Sequence, residues 1–284
     1  MAGVLGLLHD RILMYHGTPR CDAAALERQL RLVSLAFPVV PLEALMAPKK
    51  TRRARVALTF DDGLRSNVEV AYPILRKLGL SATFFVCPGL IDAGQWLWNH
   101  EARARLLSLQ KPALQELATG IGAPLAEVEG IVEWMKTLKI AARRRVEDEI
   151  RAATPRFKPS AAQCEAFDLA RWEELKRLDP RVASIGSHTM THPILTSLSA
   201  EETEAETRDS RIALEQRLDR PVSTFCYPNG DLNDGALASA RRYYRAAVTV
   251  QHGRLQGEVD PHRLPRYAAH ARWTRRLARR MVLG

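Results

Sequence analysis

Short apolar runs rich in β-branched and aromatic residues recur along the chain: ILMY, RVALTF, SATFFVC, VASIGS, STFCYP, AAVTV and RLPRY. Stretches with helical periodicity lie between them, at 22–35, 67–78, 169–178, 199–218 and 233–243. This rhythm predicts βα units around a mostly parallel sheet. Ser199 followed by Glu202 is a capping-box pattern, in which hydroxyl and carboxylate each satisfy a free backbone N–H at a helix start. Between about 92 and 159 the rhythm breaks into helical patterns alone, with Val128, Ile131, Met135 and Leu138 at helical spacing, and predicts an inserted helical subdomain. Its tryptophans Trp96, Trp98 and Trp134 fit a binding surface, although aromatic residues at such spacing more often belong to a core. The C-terminal ARWTRRLARRMVLG sets Trp273, Leu277 and Met281 at i, i+4 and i+8 among arginines. That predicts a basic amphipathic helix over about 271–282, either docked by its apolar stripe or lying on an anionic membrane surface.

The chain has 284 residues, 46% of them hydrophobic, enough for one large core, so a single domain over 1–284 with an insertion is expected. No apolar run nears the roughly 20 residues of a membrane span, and RILMYH begins too early to leave room for a signal peptide. The expected location is the cytoplasm, with peripheral contact at the inner membrane face if the basic helix meets lipid. Cys21, Cys87, Cys164 and Cys226 are scattered without CxxC spacing, which argues against a disulfide framework or a thiolate metal cluster. The formal charge of +10 favours anionic partners, whether nucleic acid, phosphorylated sugar or acidic lipid. Charge alone supports nucleic acid, and no recognised motif does, so no nucleic-acid partner is expected.

Residues at the carboxyl ends of strands line the functional crevice of a parallel α/β sheet. The run ALTFDDG therefore presents Asp61 and Asp62 where ligands bind, and adjacent residues at a strand end point differently. One carboxylate can bind a cation while its neighbour moves a proton, although a DDG taken alone is commonly a turn or a helix cap. The run SIGSHTMTHP ends another strand with His188 and His192 four residues apart, a spacing that in a helical turn puts both imidazoles on one face. Two histidines and one carboxylate make a divalent-metal site with open positions for water and substrate.

In order, TFDDG, SHTMTHP and FCYPNG resemble the three motifs of the polysaccharide deacetylase family, the NodB-like carbohydrate esterases. ILMYHGTP, SATFFV, RWEELKRL and RLPRY look like the same family, so the resemblance covers nearly the whole chain except the helical insert. It implies an α/β fold, a distorted (β/α) barrel of about seven strands with a helical insertion, carrying a metal-dependent N-deacetylase site. By motif position Asp62, His188 and His192 would hold one divalent ion, Zn²⁺ or alternatively Co²⁺, Ni²⁺, Mn²⁺ or Fe²⁺. Asp61 would be the general base. The backbone N–H of Asn229 would help bind the oxyanion, with Tyr227 beside it on the substrate side and Gly230 leaving room for a sugar.

Two departures from the family pattern bear on roles. The late segment DPHRLPRYAAH lacks the usual motif of the acid histidine, so His16 of LMYHGTP is the expected general acid, as in members with a permuted arrangement, with His262 and His270 as alternatives. Where many members have an arginine to tune the base, this chain has Cys226, and Arg266 of LPRY is expected to supply the charge from another strand end. Asp231 can orient a ligand or serve a turn.

The expected function is removal of an acetyl group from an N-acetylated amino sugar or glycan, nucleotide-linked or lipid-linked, in the biosynthesis of a surface exopolysaccharide or lipopolysaccharide. The alternatives are a deformylase or small cyclic-amide amidase of the same fold, or a non-catalytic glycan-binding or membrane-associated partner.

Overall fold

The structure, a computed structural model, describes residues 9–48, 53–275 and 277. In chain order it contains β1 (Arg11–Tyr15), α1 (Ala23–Ala36), β2 (Val56–Phe60), α2 (Tyr72–Leu78, entered through a π-helical turn at Asn67–Ala71) and β3 (Ala82–Val86). Helices α3 (Pro88–Ala93), α4 (Trp98–Leu106), α5 (Lys111–Gly120), α6 (Val128–Lys136), α7 (Ile140–Ala153), α8 (Ala161–Phe167) and α9 (Trp172–Lys176) follow without an intervening strand. The βα alternation then resumes with β4 (Ala183–Ser187), α10 (Ala200–Leu218), β5 (Thr224–Cys226), α11 (Asp234–Tyr243), β6 (Ala246–Val248) and β7 (Tyr267–Ala268).

The seven strands form one sheet in the order β6-β5-β4-β3-β2-β1-β7, and every pairing is parallel. The segment leading into β7 brings the two sheet edges together, since Leu264 bridges Val248 beside β6 while Tyr267 and Ala268 pair with β1. The result is a distorted (β/α) barrel. Alternation along the strands separates two layers. Ile12, Ala57, Phe85, Cys226 and Val248 pack inside the curl, while Leu13, Leu58, Phe84 and Phe225 pack outward beneath the helices. All seven apolar runs carry a strand, and five of the strands, β1, β2, β3, β5 and β6, are buried along their whole length, as expected of strands covered on both faces. β7 starts only at Tyr267, because Pro265 has no N–H and the Arg266 N–H goes to the Gln251 carbonyl.

The helix expected at 169–178 is shorter than its pattern. Leu169 and Ala170 instead pair with the loop after β2, through the Leu64–Leu169 bridge and the bond from Ala170 N to Gly63 O, so α9 begins at Trp172. At α10 the Ser199–Glu202 capping box is formed from both sides. Helices α4 to α7 bury a separate core of Trp98, Leu106, Ile131, Val132, Met135 and Ile150, and Ile194 joins it from the barrel.

At the C-terminus Ala271 and Leu277 are buried in the main core, Gln29 of α1 donates to the His270 carbonyl, and Arg272 pairs with the buried Asp22. The stripe is thus docked on α1 as far as Leu277, while Trp273 is half-exposed. Met281 and the arginines beyond Arg275 lie outside the described residues. Leu277→Ala should destabilise the fold by about 2–5 kcal/mol, the usual range for a truncated core leucine, measured as a lowered urea midpoint. A change under about 0.5 kcal/mol would place Leu277 on the surface.

Candidate active site

β2 ends at Phe60 and the ladder continues for one more bond, from Asp61 N to Tyr15 O on β1. The chain then turns sharply, with Asp62 at φ 73° and Gly63 at φ 66°. A Cβ at Gly63 would lie 2.9–3.1 Å from Val86, so this turn can pass over β3 only as glycine. Asp61 and Asp62 consequently leave the strand end in different directions, and both are buried.

β4 delivers His188, whose N–H bonds Val86 O, and His192 follows through a loop. The expected helical turn between the two histidines is absent. Thr189 and His192 adopt left-handed φ of 67° and 58°, and Glu206 of α10 accepts from Met190 N, Thr191 N and the Thr191 hydroxyl. Those side-chain bonds satisfy the loop where a helix would have used backbone carbonyls. Left-handed backbone at non-glycine residues costs roughly 1–2 kcal/mol each, and it concentrates here, at Asp62, Thr189, His192 and Asn229.

Asp62 Oδ1 lies 3.6 Å from His188 Nε2 and 3.6 Å from His192 Nε2. Donors about 2.1 Å from a tetrahedral zinc stand about 3.4 Å apart, so these three fit a divalent ion. His188 Nδ1 is 2.7 Å from Cys226 O, and because a carbonyl only accepts, that nitrogen carries a proton, which leaves Nε2 facing Asp62, where it donates while protonated and is the atom free to bind an ion once deprotonated. Burial alone would raise the Asp62 carboxyl, but the bond to His188 and the nearby His16, His192 and His100 hold it far below the usual range. Burial and then His188 push His192 down to about 3, so it is a neutral imidazole.

Asp61 meets Arg266 through two bonds, Nη1 to Oδ1 and Nη2 to Oδ2, both 2.7 Å. The guanidinium, only 1% exposed, also donates to Thr249 O and the Thr59 hydroxyl, and the Cys226 thiol lies 3.5 Å from Asp61 Oδ2. Burial drives the Asp61 carboxyl up, and the Arg266 charge and bonds reverse that drive and hold it below the usual range. Arg266 therefore stands as a partner to Asp61, beside the thiol that occupies the third motif.

These groups open into a cavity of about 560 Å³, within the roughly 300–1,000 Å³ common for small-ligand sites. His16, at the end of β1, and Asn229 line it with Asp61, Asp62, His188 and His192. His262 bonds Tyr244 O, and His270 sits beside Asp22 and Trp273; neither lines the cavity. At Gly230, which is not among the cavity-lining residues, a Cβ would stand 2.3 Å from Val250, so close packing requires a glycine there. Tyr227 lines the cavity, with its hydroxyl donating to His262 O and its ring buried against Phe225. Asn229 Nδ2 bonds Asp231, giving Asp231 a turn role. Glu206 and the insertion residue His100 enter the site without a motif of their own.

A model of the polysaccharide deacetylase family matches residues 48–248. The chain belongs to the polysaccharide deacetylase family. The chain is 23% identical over 233 residues, 80% of its length, to YxkH of Bacillus subtilis (strain 168), which is named as a polysaccharide deacetylase; the match spans 57% of that relative. Among solved structures it is similar to the Streptococcus pyogenes deacetylase PplD in complex with acetate, at 20% identity and TM-score 0.64 over 97% of this chain and 99% of that one. It is similar also to IcaB from Ammonifex degensii, at 16% identity and TM-score 0.63 over 96% of this chain and 97% of that one. These structural likenesses show the fold. Both His16 and Arg266 lie outside the stretch that the family model matches.

Arg266→Met leaves the Asp61 carboxylate buried without its cation and should cost about 3–5 kcal/mol. The folded-state pKa of Asp61 lies below its unfolded value, so its contribution is present above about pH 4 and is lost as pH falls through the folded value. The variant should thus show its stability deficit at neutral pH and converge on the parent in acid. A deficit independent of pH would show that Arg266 acts by packing alone.

Proposed function

We propose that the chain is a metal-dependent N-deacetylase of an amino sugar in surface-glycan biosynthesis. The observation that carries this reading is the convergence of Asp62 Oδ1, His188 Nε2 and His192 Nε2 beside an Arg266-paired Asp61, at the floor of a cavity. Asp62, His188 and His192 would hold the ion. Bound there, a zinc-like divalent ion supplies polarisation of the amide carbonyl and a water of lowered pKa.

Asp61 then accepts the water's proton as the carbonyl carbon is attacked. Arg266 keeps Asp61 ionised and fixes the direction of its oxygens. The Asn229 backbone N–H at the cavity wall supplies an oxyanion donor, on a residue whose left-handed φ of 57° turns the peptide at that point. His16, exposed at the rim opposite, donates a proton to the departing amine, which cannot leave as an anion. The acetate in the Streptococcus pyogenes relative is the acid that an N-acetyl substrate would release. For the carrier, the chain's charge of +10 favours a phosphorylated, nucleotide-linked or lipid-linked sugar at the inner membrane face.

Acetate and formate release measured against free, nucleotide-linked and lipid-linked amino sugars tests the reading. Acetate from a phosphorylated amino sugar is expected; formate alone would make the chain a deformylase, and neither product a non-catalytic binder. Asp61→Asn should keep its metal and lose roughly 10²- to 10⁴-fold in turnover; full turnover would make Asp61 structural. His16→Ala should depress amide hydrolysis strongly and hydrolysis of an activated aryl ester much less, since that leaving group needs no proton. Equal losses on both would assign His16 to positioning.

A further inference from the structure

Helix α4, the first long helix of the insertion, touches two of the three candidate metal donors from outside. Trp98, its first residue, donates from indole Nε1 to the carbonyl of His192 at 3.1 Å. The indole is buried and covered by the Arg143 guanidinium at 4.5 Å, itself paired with Glu147 at 2.8 Å on the same helix α7. Ile194, two residues beyond His192, is buried in the insertion's own core. Two residues after Trp98, His100 places Nε2 3.8 Å from Asp62 Oδ2, the oxygen turned away from His188 and His192. Its ring is stacked on Phe167 of α8 at 4.6 Å and 25°.

Each contact addresses a freedom that the barrel leaves open. His192 sits at φ 58° at the end of a non-helical loop, a conformation that persists only where neighbours hold it. The Trp98 donor fixes its carbonyl and so the plane of the following peptide. The Asp62 carboxylate can rotate about its last bond, and the His100 imidazole 3.8 Å from Oδ2, an electrostatic contact longer than a hydrogen bond, favours the rotation that presents Oδ1 to both metal-site imidazoles. Outer-shell partners of this kind orient metal ligands and are worth roughly 10- to 100-fold in affinity.

We propose that the helical insertion is a working part of the metal centre, in which Trp98 and His100 are positioning residues for His192 and Asp62. This rests on the metal-site reading above. It also predicts an order of events, since the site cannot take its final geometry until α4 has packed against the loop after β4.

The test uses the full chain, stripped with a chelator and titrated with Zn²⁺ against a chromophoric competitor, and with Co²⁺ read by its visible spectrum. Trp98→Phe keeps an aromatic ring under Arg143 and removes only the donor; His100→Ala and His100→Gln remove and partly replace the dipole at Oδ2. Circular dichroism and melting should show folded variants. Zn²⁺ affinity should fall about 10- to 100-fold in Trp98→Phe and His100→Ala, with an altered Co²⁺ spectrum, and recover in part in His100→Gln. Parent-like affinity and spectrum in folded variants would overturn the proposal. Should Trp98→Phe fail to fold, the His100 pair decides alone, with unchanged affinity in His100→Ala overturning it. A parent chain that binds neither ion would instead overturn the metal-site reading and this inference with it.

Discussion

The active-site floor is organised by one ion pair. Two adjacent carboxylates are nearly sealed from water at the end of β2, and burial of either as a charge is costly unless a partner answers it. Arg266 answers Asp61 through both oxygens, and its three remaining donors are spent on Thr59, Thr249 and the Cys226 sulfur, so it cannot swing away. With Asp61 neutralised in this way, Asp62 is left to face the two imidazoles. The different partners of the two neighbouring acids thus follow from where a single guanidinium enters.

That entry point depends on topology. Arg266 precedes β7, which pairs with β1 at the far end of the sheet order, whereas Cys226 ends β5. Because the segment before β7 also bridges β6, the sheet curls and brings Arg266, Cys226 and Asp61 within hydrogen-bonding distance. A flat sheet in the same strand order would hold them apart.

Most of the strands were legible because fully buried parallel strands read as apolar runs, and the site was legible where chemistry is compact: DDG, His-x3-His and the arginine of LPRY. Conformation within these motifs was less legible. The four-residue spacing of His188 and His192 fits a helix, but Glu206, far along α10, satisfies the loop instead, and nothing local in the sequence marks that side chain. Likewise the glycine of PNG does not name the neighbour that its missing side chain lets approach, which is Val250. His100 carries no spacing signal, since it reaches Asp62 only through the packing of helices α4 to α8 on the barrel.

The central claim is that Asp62, and not Asp61, joins His188 and His192 in holding a divalent ion. The described residues also bring Asp61, His188 and Cys226 close enough to form a second donor set, so the choice is open to direct observation. Anomalous diffraction at the zinc edge from crystals of the full chain would place the ion. The account predicts a single site with Asp62, His188 Nε2 and His192 Nε2 at about 2.0–2.2 Å and the Arg266–Asp61 pair intact. An ion bound to Asp61 and the Cys226 thiolate, with Arg266 displaced, would contradict it.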